Sequence, residues 1–124
     1  ALFLDFLYRN SNFKNLKLKY AFEFRHNSWC KEKVYKLLRK YNVAWVIADS
    51  QRYPKTEVLT ANFTYIRMHG PGVMFASKYT DKELENLSFK VKKWLKKVDI
   101  YIYFNNDFHG YAVDNAKTLR KLLR

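Results

Sequence analysis

Four apolar runs, each closing on charged or amide side chains, punctuate the chain. They are LKYAFEFR (Leu18–Arg25), VAWVIAD (Val43–Asp49), FTYIRMH (Phe63–His69) and DIYIYFNN (Asp99–Asn106). Runs of this length, rich in β-branched and aromatic residues, predict strands. They lack clean polar/apolar alternation, as expected of strands covered on both faces of a parallel sheet. Polar groups collected where parallel strands end are the usual way an α/β protein builds a site, because helices cover the flanks and leave that rim open.

Helical spacing fills the intervals. Leu2, Phe3, Phe6 and Leu7 predict an opening amphipathic helix, and NSNFKN (Asn10–Asn15) reads as a turn-rich link. Ser28 is a candidate cap for a helix whose apolar stripe is Val34, Leu37, Leu38 and Tyr41. The segment 49–60 contains Pro54 and reads as irregular, with a short helical turn around Glu57–Ala61. His69-Gly-Pro-Gly uses two of the three glycines, which suggests a backbone passing close to something. Thr80-Asp-Lys-Glu83 is a capping box that opens the longest helix, with Leu84, Leu87, Val91, Trp94, Leu95 and Val98 apolar. A last helix, about His109 to Leu123, should turn Ala112, Ala116, Leu119 and Leu123 inward. Strands alternating with helices imply an α/β fold of parallel (β/α) units. The four strands form a single partial domain over residues 1–124, with two open sheet edges that self-association or a further half would have to cover.

Composition supports a packed domain and narrows its setting. At 124 residues and 48% hydrophobic, with three Trp, ten Tyr and ten Phe, the chain has ample core material for one domain. No run is long enough to span a bilayer, and ALFLDFLYR is too short and carries Asp5, so no membrane association is expected. Lone Cys30 excludes an internal disulfide and fits a reducing cytoplasm. The net charge of +13 admits nucleic acid as a partner. Most lysines, however, fall on the outer faces of the predicted helices, which favours a solvated surface.

Side chains alternate across a strand, so parity sorts the charged positions. Glu23 and Arg25 share a face, with Phe22 and Phe24 opposite; Tyr65, Arg67 and His69 share a face, with Ile66 and Met68 opposite. Asp49 has the parity of Trp45 and Ile47. With the apolar set against the helices, Glu23, Arg25, Asp49, Arg67 and His69 are expected to converge from three neighbouring strand ends. A buried ion pair that only fixes register is the bland alternative. Two arginines, two acids and a histidine exceed that need, and ionisable clusters of this kind mark sites.

The set suits an anionic, oxygen-rich ligand. Arg25 and Arg67 could clamp a phosphate or carboxylate, while Glu23, Asp49 and His69 are the candidate catalytic acids and bases. Asn105 and Asn106 could orient hydroxyls, and Trp29 and Tyr79 lie where a ring could stack on a ligand. Glu23, Asp49 and His69 would also admit a divalent metal, but no motif supports one and the cofactor stays open.

AFEFRHNSW (Ala21–Trp29), VAWVIADS (Val43–Ser50), YIRMHGP (Tyr65–Pro71), the Tyr79 loop and VDIYIYFNNDFHGYAVDNA (Val98–Ala116) together resemble the YecE-like family, also known as domain-of-unknown-function family 72. The resemblance runs over almost the whole chain. It implies a TIM-type (β/α) barrel of which this chain is the C-terminal half, strands five to eight. The family's motif positions fall on Glu23, Arg25, Trp29, Asp49, Arg67, His69, Gly70, Tyr79, Asn105 and Asn106. The family's activity is not established, and likeness of its barrel to endonuclease IV and sugar isomerases is analogy of fold only.

Two functional expectations follow. The first is an enzyme, or former enzyme, acting on a phosphorylated or polyhydroxylated small molecule at the strand ends. The second is nucleic-acid binding, with endonuclease IV-like phosphodiester cleavage. The arginine-rich set departs from the His- and acid-rich metal sites that such nucleases use.

Overall fold

The computed structural model describes residues 2–9 and 18–124; the link expected over Asn10–Asn15 lies outside them. Helix α1 (Leu2–Arg9) is followed by strand β1 (Ala21–Phe22), helix α2 (Glu32–Lys40), β2 (Ala44–Asp49), β3 (Phe63–Met68), α3 (Asp81–Leu95), β4 (Asp99–Phe104) and α4 (Tyr111–Leu123). All strand pairs are parallel and the sheet order is β1-β2-β3-β4. This is the α/β arrangement of a partial (β/α) barrel, with successive strands adjacent. No helix among the described residues is long and apolar enough to cross a membrane.

The core lies between the sheet and the helices. Trp45 and Ile47 of β2 and Ile66 and Met68 of β3 pack against Leu38 of α2 and Leu84 and Val91 of α3. Ala44 to Ala48 of β2 are all buried, which explains the unbroken apolar run there. Phe24 stacks on Trp45 at 4.6 Å between ring centroids, so β1 joins this core through the parity partner of Phe22. Leu4 brings α1 into the same cluster. The Tyr41 hydroxyl donates to Asp5, and the Tyr8 hydroxyl donates to the Tyr41 carbonyl. On the helix surfaces Lys33, Lys36, Lys82, Lys92, Lys93, Lys117 and Lys121 are exposed, the solvated arrangement read from the sequence.

Several boundaries differ from the expected ones. The regular part of the first strand is two residues long, and Ser28 sits inside a 3₁₀ turn (Asn27–Trp29) that the His26 side chain caps by accepting from the Ser28 N–H. Helix α2 starts later, with Lys31 at its N-cap and no side-chain cap bond. No helical turn forms around residues 57–61. Instead Thr60 anchors the strap after β2: its hydroxyl donates to the Val43 carbonyl at 2.7 Å and accepts from the Trp45 N–H at 2.8 Å. The Thr80–Glu83 capping box is present with both reciprocal bonds. In α4 the buried positions are Ala112, Asn115 and Leu119, and Ala116 faces outward.

Candidate functional site at the strand ends

Glu23 lies one residue beyond β1, and three basic groups meet its carboxylate. Arg67 Nη1 donates to Oε2 at 3.0 Å and Arg25 Nε to Oε1 at 3.2 Å, while His69 Nε2 lies 3.4 Å from Oε2. Arg67 reaches there because its Cα pairs with Ala48 on one side and Tyr103 on the other, and partners in a parallel ladder point the same way. Its Nε donates to Asn105 Oδ1 at 3.1 Å, one residue beyond β4. The side chain of Glu23 is 11% exposed and that of Arg67 30%. One carboxylate is thus shared between two permanently charged guanidiniums, leaving a positive excess at the rim.

His69 is almost wholly buried, between the edges of Tyr53 and Phe75 at 5.7 and 5.3 Å. Burial pushes its pKa below the ordinary 6.5; the Glu23 hydrogen bond opposes this shift, and the charges of Arg67 and Arg25 add to it. The ring is therefore neutral at neutral pH. Its Nδ1 has no partner among the described residues. With the ring proton on Nε2, Glu23 accepts it, and Nδ1, itself buried, keeps an unused lone pair.

Below this rim the open sheet face carries a cavity of about 670 Å³, lined by Glu23, Arg67, Asn105, Tyr65, Tyr103 and Lys19 among others. Tyr65 and Tyr103 stack at 4.8 Å with an interplanar angle of 11°. Lys19 bonds the Tyr101 hydroxyl at 3.0 Å and lies over the Phe63 and Tyr101 rings. This face therefore offers hydroxyls and aromatic faces, with fewer aliphatic groups than a closed barrel interior usually packs.

The convergence expected of five charged side chains holds for Glu23, Arg25, Arg67 and His69, and fails for Asp49. Asp49 pairs in register with Met68, whose side chain belongs to the core, so its carboxylate points to the helix side. There it accepts from the Tyr79 hydroxyl at 2.8 Å and pairs with Lys55 at 2.9 Å. It borders a different cavity, of about 300 Å³, between the strap after β2 and α3. This separates Asp49 from the Glu23–His69 pair, so the Glu23, Asp49 and His69 metal set is corrected. Among the described residues no three His, Cys, Asp or Glu side chains form a metal-holding group.

Tyr79 and Asn106 are likewise scaffold residues. The Tyr79 hydroxyl accepts from the Gly70 N–H at 2.9 Å, and burial together with Asp49 raises its pKa strongly, so it stays a donor. Gly70 needs this support because its φ is +110°, where a Cβ would also meet the Val73 carbonyl oxygen at 3.0 Å. Asn106 is fully buried; its amide donates to the Ser77 carbonyl at 2.8 Å and to Asn115 Oδ1 at 2.9 Å. Asn115 grips both backbone groups of Tyr79, at 3.1 Å from N–H and 3.0 Å from C=O. Trp29 is half exposed and packs on Phe24 at 5.0 Å, on the core side of β1.

Sequence reasoning missed Tyr53 and Asn115. The Arg25 guanidinium lies over the Tyr53 ring at 4.7 Å, and that ring also abuts His69. Tyr53 sits in an irregular segment where periodicity carries no information. Asn115 was detectable as a polar residue at the inward spacing of Ala112 and Leu119, three and four residues away.

A parallel partial barrel with an arginine-rich strand-end rim defines the class of protein. The chain matches the family described as "Protein of unknown function DUF72" over residues 3–124, and it belongs to that family. It is similar to the solved structure of a DUF72 family protein from Thermotoga maritima, at 28% identity and a TM-score of 0.79, covering 89% of this chain and 48% of that one. A DUF72 family protein from Enterococcus faecalis is similar at 25% identity and a TM-score of 0.76, covering 86% and 49%. The chain thus spans about half the length of the solved structures it matches. No curated protein matches it.

Proposed function

We propose that the strand-end rim binds a small anionic molecule, phosphorylated or polyhydroxylated, and that Glu23, backed by the buried His69, moves a proton on it. One observation carries this reading: a single carboxylate, Glu23, is shared by Arg25, Arg67 and His69 beside an open cavity. A register-fixing ion pair needs one cation for one acid, whereas here a second guanidinium is left to be neutralised by a ligand. Asn105 holds the Arg67 plane, so the fork is oriented before any ligand arrives. His69, buried and neutral, backs the Glu23 carboxylate through Nε2, and Glu23, which lines the cavity, is the group suited to exchange a proton with the ligand.

A thermal-shift panel of sugar phosphates, hydroxy acids and the parent neutral sugars tests the ligand class. Stabilisation by the anionic members, absent with their neutral parents, is the expected result. A panel in which neutral and anionic members behave alike would remove the anion-binding reading.

A further inference from the structure

Between the loop after β1 and the loop after β2 lies a third cavity, a cleft of about 370 Å³ lined by Arg25, His26, Asn27, Arg52, Tyr53 and Lys55 among others. We infer that this cleft is a phosphate subsite, which takes the phosphoryl end of a phosphorylated small molecule whose hydroxylated body reaches Arg67 and Asn105. The inference deepens the proposed function and rests on it for the second half of the ligand only.

Three observations support it. First, Arg25 is shaped for an anion before one binds. Its Nε is tied to Glu23 and its guanidinium carbon lies 4.7 Å from the centre of the Tyr53 ring, so the two terminal nitrogens are not used by the Glu23 bond. A guanidinium fixed in this way loses little further freedom on gripping a phosphate. Second, both walls are braced. His26 caps the 3₁₀ turn through Ser28, the Gln51 amide donates to the Pro71 carbonyl at 2.6 Å, and the Arg52 N–H donates to the Ser50 hydroxyl at 3.1 Å.

Third, the charge suits an anion. Among the described residues the cations lining the cleft, Arg25, Arg52 and Lys55, have only Glu23 and Asp49 as ion-pair partners, an excess of one positive charge, carried by Arg52. A phosphate monoester carries about −1.5 to −2 at neutral pH. The cleft and the inner cavity share no lining residue; the Arg25–Glu23 pair lies between them, with Glu23 Oε1 serving Arg25 and Oε2 serving Arg67. A ligand that reaches across this pair would engage both guanidiniums, one on each side of the carboxylate.

The test is a chemical-shift titration of the protein with inorganic phosphate, ribose 5-phosphate and ribose, reported by the Asn27 and Arg52 amides and the Arg25 Nε–H. Both phosphates should shift these reporters and ribose should not. Arg52→Ala should weaken phosphate binding at least about tenfold while leaving amides in α3 and α4 unmoved, as expected for loss of a charged hydrogen-bond donor. Unchanged affinity in Arg52→Ala, or no response in millimolar phosphate, overturns the subsite.

Arg67→Ala should leave inorganic phosphate binding within about twofold, since it removes no group from the outer cleft, and should erase the added affinity of ribose 5-phosphate. If that added affinity survives while phosphate binding still depends on Arg52, the proposed function fails and the outer subsite stands. Arg52-dependent binding of a short oligonucleotide, with no response to ribose 5-phosphate, would assign the cleft to a nucleic-acid backbone and overturn the small-molecule ligand.

Discussion

Replacing Tyr79 by Phe removes one oxygen from the scaffold behind the rim, and the hydrogen bonds of that oxygen set the cost. The ring keeps its place, edge-on to Phe104 at 5.9 Å between centroids, so no cavity opens. Two hydrogen bonds disappear: the one received from the Gly70 N–H at 2.9 Å and the one donated to Asp49 at 2.8 Å. Gly70 is buried, so its N–H is left without a partner, at about 1–3 kcal/mol. Asp49 retains Lys55, which is half exposed, so loss of the hydroxyl there adds only about 1 kcal/mol. The sum is about 2–4 kcal/mol, or a melting temperature lower by about 6–20 °C for a chain of this size.

Urea unfolding of wild type and Tyr79→Phe, with hydrogen exchange at Gly70, measures both parts. Asp49→Asn keeps an acceptor for the hydroxyl and should cost less than half as much. A Tyr79→Phe change below about 0.5 kcal/mol, or an unchanged Gly70 exchange rate, would refute the idea that this hydroxyl holds the loop after β3.

Burial lowers the His69 pKa, so the unfolded chain takes up this proton at higher pH than the folded one. Stability should therefore fall as pH drops from above the ordinary 6.5 and level off below the folded value; His69→Gln, followed by denaturant titration from pH 8 to 5, should flatten that limb. Asn115→Ala removes the amide that holds both backbone groups of Tyr79 and one bond to Asn106, and should cost about 2–4 kcal/mol by urea unfolding. Gly70→Ala forces a Cβ into a φ of +110° against the Val73 carbonyl and should cost more than about 1 kcal/mol, read as a lower urea midpoint.

The fold was legible because apolar runs and helical stripes report burial directly. β2 and β3 fall within a residue of the expected runs, and the capping box marks the start of α3 as read. The first strand was overextended because an apolar run records burial, whereas a strand also needs a paired neighbour; only Ala21 and Phe22 pair with β2. Parity found Glu23, Arg25, Arg67 and His69, since partners in register share a face, and Asn105 was marked by its place at the end of the fourth apolar run. The same rule placed Asp49 with Trp45 and Ile47, on the helix side, and there the collective pull of charge towards charge misled. Asn106 and Asn115 bond each other from different elements, and such a pairing leaves no periodic trace in the chain.

The Glu23–Arg67 array, on this reading, exists for a ligand. Calorimetric titration of Arg67→Ala and wild type with the best-binding anion, beside their thermal melts, tests that most directly. Affinity reduced to that of inorganic phosphate, with a melting temperature within a few degrees of wild type, is the predicted result, because Arg25 still partners Glu23. Affinity equal to that of wild type, or a collapse of the fold before binding can be read, would make Arg67 a structural ion-pair residue and contradict it.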